Sequence, residues 1–181
     1  MQKLQSDLIA KGIILRQENA LVGVVEDVVI NPDNGQFLGF IVREGFGKKN
    51  LKALAEKDML GFNAQFILIP GYKSLGEISD IVRIKDALDK KIKIIKNKVY
   101  TISGVYIGKV ADYTIDFDAA KLSRLYVNAR SIRRLAKELI IESSCILSIK
   151  KDRITVDDTC AKQASKISNL NLGTTKNEPS S

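Results

Sequence analysis

The 181-residue chain has no histidine. That removes the commonest general base and the commonest transition-metal ligand. No phosphate-binding P-loop, G-x-G-x-x-G turn or G-x-S-x-G elbow occurs either, so the usual marks of nucleotide binding and serine hydrolysis are missing. Cysteines number two: Cys145 in the apolar run CILSI, and Cys160 in a polar stretch. Their spacing matches no metal site and one pair makes no disulfide framework, so a reduced, cytoplasmic setting is expected. As a nucleophile Cys145 would have no histidine partner, and its neighbours favour a buried strand cysteine. Long apolar runs are absent as well. The longest, LVGVVEDVVI from Leu21, is broken by Glu26 and Asp27, so no transmembrane segment is expected. The opening MQKLQSDLIAKGIIL lacks the continuous apolar stretch and cleavage site of a secretory signal. These absences predict a non-enzymatic chain without cofactor or metal.

What is present is a duplication. At an offset of 85 residues, the stretch beginning at Gly23 and ending at Val42 aligns without a gap on the one from Gly108 to Val127. The frame shares Gly23/Gly108, Val25/Val110, Asp27/Asp112, Ile30/Ile115, Asp33/Asp118 and Val42/Val127. Each copy must then be one folding unit. Repeats of this size bury a modest fraction of their surface. Charge is divided unevenly between them: residues 1–85 carry 11 Lys/Arg against 10 Asp/Glu, and residues 86–181 carry 18 against 11. Nearly all of the net +8 therefore lies in the second half, which suits an acidic partner or simple solubility. Five of the six phenylalanines fall in the first copy, and four of the five tyrosines in the second.

The apolar runs are short, β-branched and bounded by turn residues, which predicts strands. In the first copy these are residues 13–16, 22–30, 37–44 and 66–69. In the second they are 98–101, 107–117, 122–128 and 146–149, with a further one at 153–156. Asn31-Pro32-Asp33-Asn34-Gly35 is a strong hairpin turn signal, and alanine replaces its glycine in Asp116-Phe117-Asp118-Ala119-Ala120. Val110 and Ile115 are an odd number of positions apart, so both can face inward only with a bulge near Asp112. Between the copies, Ser74-Leu75-Gly76-Glu77 has the form of a capping box. Ile78, Ile81, Val82, Leu88 and Ile92 follow at roughly helical spacing, predicting a connecting helix over residues 77–90. Beyond Asp158 the composition predicts a disordered tail.

Gly104-Val105-Tyr106-Ile107-Gly108-Lys109-Val110-Ala111-Asp112 resembles the G-x-x-I/L-G-K-V-x-D signature that opens PRC-barrel domains. Val22-Gly23-Val24-Val25-Glu26-Asp27 is a looser match, with Asn19 near the place of the first glycine, and Leu8-Ile9 with Ile13-Ile14 corresponds to Ile94-Ile95 with Val99-Tyr100. These small β-barrels are named after the H subunit of photosynthetic reaction centres, and one forms the C-terminal domain of the ribosome maturation factor RimM. The resemblance implies a mainly β fold of two small PRC-type barrels in tandem at 5–72 and 92–158, to which spacing and composition add a helical linker at 73–91 and a disordered tail at 159–181. Where the family often has an Ile-Pro or Leu-Pro step, this chain offers Leu54-Ala55 and Leu135-Ala136.

On this reading Gly23, Gly104 and Gly108 serve strand entry and close backbone approach, while Asp27 and Asp112 accept backbone N–H bonds beside a bulge. Asp116 and Asp118 read as turn chemistry rather than metal ligands. Two loops suit a partner: Phe46 with Lys48 and Lys49, and Arg130 with Arg133, Arg134 and nearby Lys137, where basic and apolar groups stand side by side. The tyrosines Tyr100, Tyr106, Tyr113 and Tyr126 read as half-buried sheet residues. The expected function is a cytoplasmic, non-catalytic adaptor or scaffold binding a protein partner. A RimM-like role on the ribosome or RNA, and attachment to an anionic membrane or membrane complex, are the alternatives.

Overall fold

The computed structural model describes residues 1–45, 50–129 and 137–160, the Lys137 side chain excepted. They divide into two units. Unit 1 holds Met1–Ile92 and Thr114–Ser123, and unit 2 holds Lys93–Tyr113 and the chain from Arg124 onward.

Unit 1 opens with strand β1 (Gln2–Leu4) and the single-turn helix α1 (Gln5–Leu8). Its sheet comprises β2 (Gly12–Leu15), β3 (Ala20–Ile30), β4 (Phe37–Glu44), β5 (Leu51–Ala55), β6 (Gly61–Phe62), β7 (Phe66–Ile69) and β8 (Leu75–Gly76), in the spatial order β6-β7-β2-β3-β4-β5-β8. Helix α2 (Val82–Asp89) follows. The second repeat supplies β9 (Lys98–Thr101), β10 (Tyr106–Asp116), β11 (Lys121–Ala129), β12 (Lys137–Glu142), β13 (Ile146–Ile149) and β14 (Ile154–Val156), in the order β13-β14-β9-β10-β11-β12. The two orders are the same, strand for strand, through β5 and β12. β1 pairs antiparallel with the last residues of β10, Thr114–Asp116, which count with unit 1.

The duplication extends to single hydrogen bonds. The Ala10 N–H donates to the Val25 carbonyl at 2.9 Å, and the Lys96 N–H to the Val110 carbonyl at 2.8 Å. Both donors have left-handed backbone, φ 64° and 66°. Val25 and Asp27 are successive partners of Val42 and Ile41, so the bulge falls at Glu26, where the parity of the buried residues requires one. It lets Val25 and Ile30 both point inward, at 1% and 9% exposure. Register also revises two equivalences. Both β7 and β14 run parallel to their neighbours β2 and β9, so β14, not β13, is the counterpart of residues 66–69. Phe40 faces Leu54 and Leu125 faces Ile141, so Leu54-Ala55 corresponds to Ile141-Glu142 rather than to Leu135-Ala136, which lie outside the described residues.

The connecting helix is shorter than the spacing predicts. Leu75 and Gly76 pair with Leu54 and Ala53 as strand β8, Ile78–Asp80 forms a 3₁₀ turn, and α2 starts after Ile81 without a side-chain cap. Ser74 therefore caps nothing: burying Leu75 at the sheet edge holds that segment extended. The helix packs on unit 1, where Ile84 joins Val29, Leu38, Ile41 and Ala53 in one buried cluster. Phe117, the only phenylalanine of the second copy, counts with unit 1 too, its ring 5.1 Å from Phe37 and 4.5 Å from Phe62.

The cysteines correct the expectation of a reduced pair. Cys145, 8% exposed, is bonded to Cys160, with a Cα separation of 6.0 Å. The turn that brings Cys160 back is held by the Asp157 N–H on the Cys145 carbonyl at 3.0 Å. The Thr159 hydroxyl and N–H on the Asp157 carboxylate hold that acid below the usual carboxylate range. Residues 161–181, most of the stretch read as a tail, lie outside the described residues.

Candidate functional site

The glycines and aspartates of the signature act on backbone. A Cβ built on Gly108 would meet the Asn128 carbonyl oxygen at 2.2 Å, and one on Gly23 the Arg43 carbonyl at 2.7 Å. Arg43 and Asn128 are equivalent in the repeat, so the paired glycines serve the same close strand contact twice. Gly104 has φ 87° and Asn19, its counterpart, φ 50°; asparagine is among the side chains that tolerate this region. The carboxylates of Asp27 and Asp112 each accept the N–H of the following residue, Val28 or Tyr113, at 2.8 Å. Asp116 accepts from Asp118 at 3.0 Å and Ala119 at 3.4 Å. Burial works to raise the Asp116 pKa, yet the N–H groups of Ala119 and Asp118 together with the Met1 ammonium outweigh it and hold the carboxyl low. Among the described residues no group of three or more His, Cys, Asp or Glu side chains could hold a metal ion.

The loop residues singled out for partner contact lie outside the described residues: Phe46, Lys48, Lys49, Arg130, Arg133 and Arg134. Lys137 begins β12, and its side chain is likewise undescribed.

The described surface carries a different cluster, which sequence reasoning passed over. On the outer face of unit 2, Tyr106 lies opposite Tyr100 and Lys109 opposite Lys98 across β9 and β10. The tyrosine rings are 5.2 Å apart, and the Arg153 guanidinium sits 5.2 Å above the Tyr100 ring. An open groove of about 550 Å³ runs beside them between Lys96, Tyr106, Lys109 and Asn128. Of the four tyrosines read as half-buried, Tyr113 is buried at 3% and Tyr106 is exposed at 37%.

The family model for the PRC-barrel domain matches the chain twice, over residues 2–88 and 92–162. The chain belongs to the PRC-barrel family. It is a tandem PRC-barrel protein, and the first match ends at residue 88, within α2. No curated protein matches it. PRC-barrel domains are interaction modules, found in adaptor-like and ribosome-maturation proteins. Among the described residues no helix is long and apolar enough to cross a membrane.

Each PRC barrel is also tied by one buried polar side chain at equivalent places. Lys11 donates from Nζ to the Asn63 carbonyl at 3.1 Å and to the Ala64 carbonyl. Asn97 donates to the Lys93 and Lys150 carbonyls at 3.1 and 2.8 Å, and accepts the Lys98 N–H at 2.9 Å. Removing the Asn97 amide leaves these part-buried groups without partners, so Asn97→Ala is expected to lower the stability of unit 2 by about 2 kcal/mol. Urea unfolding followed by tyrosine fluorescence checks this; an unchanged midpoint would mean that water replaces the amide.

Proposed function

We propose that this tandem PRC-barrel protein is a non-catalytic adaptor that holds a macromolecular partner on its outer surfaces. One observation carries the reading. The glycines and aspartates that the two copies share at their signature, Gly23 and Gly108, Asp27 and Asp112, meet or bind backbone, and the shared valines Val25 and Val110 are buried. Shared residues of that kind maintain a fold, and the copies differ in charge, nearly all of the net excess lying in the second.

Affinity purification of the tagged full chain from its own cells, with mass spectrometry, tests the proposal. A dedicated protein should be recovered near one-to-one and should re-form a complex with the purified chain in gel filtration. Recovery of nothing above an untagged control would overturn it. Recovery dominated by ribosomal proteins would favour the ribosome reading, and recovery dominated by membrane complexes the peripheral one.

A further inference from the structure

The geometry points to a binding surface for single-stranded nucleic acid on the outer face of β9 and β10 in unit 2. This deepens the adaptor reading by giving one of its surfaces a ligand class.

The face is built against the ordinary rules of sheet stability. Lys98 and Lys109 stand directly opposite each other and are both exposed. Like charges in that position destabilise a strand pair. Among the described residues no carboxylate pairs with Lys96, Lys98 or Lys109. Lys96 leaves the backbone at φ 66°, where the bond from its N–H to the Val110 carbonyl fixes it. A bound anion would relieve the repulsion that the fold tolerates.

The first copy shows that the scaffold does not demand these residues. Its register places Gly12 opposite Val24 and Ile14 opposite Leu21, in the positions that Lys98, Lys109, Tyr100 and Tyr106 take in the second. Ala10 stands for Lys96, and Phe66 for Arg153. One copy therefore carries a wholly uncharged patch where the other carries four cations and two tyrosines. The second copy carries charge and rings on one face of the shared frame, Lys109 being the lysine of the signature.

Cations alone would suit many acidic partners, and the rings narrow the choice. An exposed Tyr106 beside a guanidinium-capped Tyr100 offers flat surfaces on which unpaired bases stack, while the lysines meet phosphates along the strand. A duplex keeps its bases stacked inside, out of reach of this face. An acidic peptide or a phospholipid headgroup would use the lysines and leave ring stacking unused.

Fluorescence anisotropy of the full chain with a labelled oligouridylate of roughly 12 nucleotides tests the assignment. Lys98→Glu with Lys109→Glu should weaken binding tenfold or more at about 50 mM salt, and the alanine pair should reduce the slope of log affinity against log salt by about 1.4. Tyr106→Ala should weaken binding by roughly tenfold through lost stacking, while Tyr106→Phe keeps it. Circular dichroism melts confirm that these surface variants fold. The assignment is overturned by unaltered binding in the lysine variants, by equal affinity for Tyr106→Ala, by a duplex bound as tightly as the single strand, or by preference for a polyglutamate peptide or anionic vesicles. Any of these leaves the purified protein partner, and with it the adaptor reading, standing.

Discussion

Gly108→Ala is expected to lower the stability of unit 2 by about 4 kcal/mol, enough to unfold much of the population of a marginal domain. The added methyl would lie 2.2 Å from the Asn128 carbonyl oxygen, 2.8 Å from its carbon and 3.0 Å from the Ala129 Cα. All three are backbone atoms, so no side chain can rotate aside and β11 must part from β10. Overpacking that a flexible neighbour absorbs costs about 1–3 kcal/mol, and this site has no such neighbour. Gly23→Ala in the first copy meets the Arg43 carbonyl at 2.7 Å and the end of a Val42 side chain at 2.8 Å, a looser fit, and should cost less. Gly61→Ala, with nothing within 4 Å of the new atom, is the control and should stay within about 0.5 kcal/mol of the parent. Tyr100, Tyr106, Tyr113 and Tyr126 belong to unit 2 and only Tyr72 to unit 1, so tyrosine fluorescence in urea isolates the unit in question. A Gly108→Ala midpoint equal to that of Gly61→Ala would show that the two strands separate without cost.

The residues that made the fold legible are those whose pattern was local. β4, β7, β9 and β13 match their predicted ranges because each is an apolar, β-branched run closed by turn residues. The bulge followed from counting positions between buried residues, and the paired β3–β4 register places it at Glu26. What escaped was decided by tertiary pairing. Leu51-Lys52-Ala53-Leu54-Ala55 is a helix-like composition, and it is a strand because β4 and β8 flank it. β12, Lys137–Glu142, is extended for the same reason against β11. The Cys145–Cys160 bond was invisible because only the return of the chain after β14 sets the sulfurs together.

The candidate face was in the sequence but needed alignment at the level of strands. The offset is 85 residues after the β9–β10 turn and 86 before it, as Val25/Val110 and Ala10/Lys96 show. The lead-in match of Ile13-Ile14 with Val99-Tyr100 carries the 86-residue offset and sets Lys98 against Gly12, but only the strand register shows Lys98 facing Lys109 and Tyr100 facing Tyr106. With that register, charge and rings fall on one face of the shared frame. The loops singled out in the sequence, with Phe46, Lys48 and Lys49 in one copy and Arg130, Arg133 and Arg134 in the other, lie outside the described residues, and the sheet face between Lys96 and Arg153 is separate from them.

Ile84→Ala is expected to lower the stability of unit 1 by about 3 kcal/mol, the ordinary cost of emptying a buried aliphatic site. Ile84 is 1% exposed and anchors α2 on Val29, Leu38, Ile41 and Ala53. These residues lie on the opposite face of the sheet from Phe37, Phe40 and Val42, which is why β4 is buried at nearly every position while β11 alternates. The counterparts of Leu38, Ile41 and Ala53 are Ser123, Tyr126 and Ile140, none of them buried, with Ile140 at 43% exposure. One copy thus buries this face under a helix, whereas among the described residues the other half-buries Ser123 and Tyr126 there and exposes Ile140. Amide exchange on β4 and β5 should accelerate in Ile84→Ala by a factor of about 100, from the same 3 kcal/mol. Val82→Ala, on the same helix but 64% exposed, should leave exchange close to the parent rate. Equal protection in the two variants would mean that α2 lies on the sheet without holding it, and that the first barrel is stable on its interior core alone.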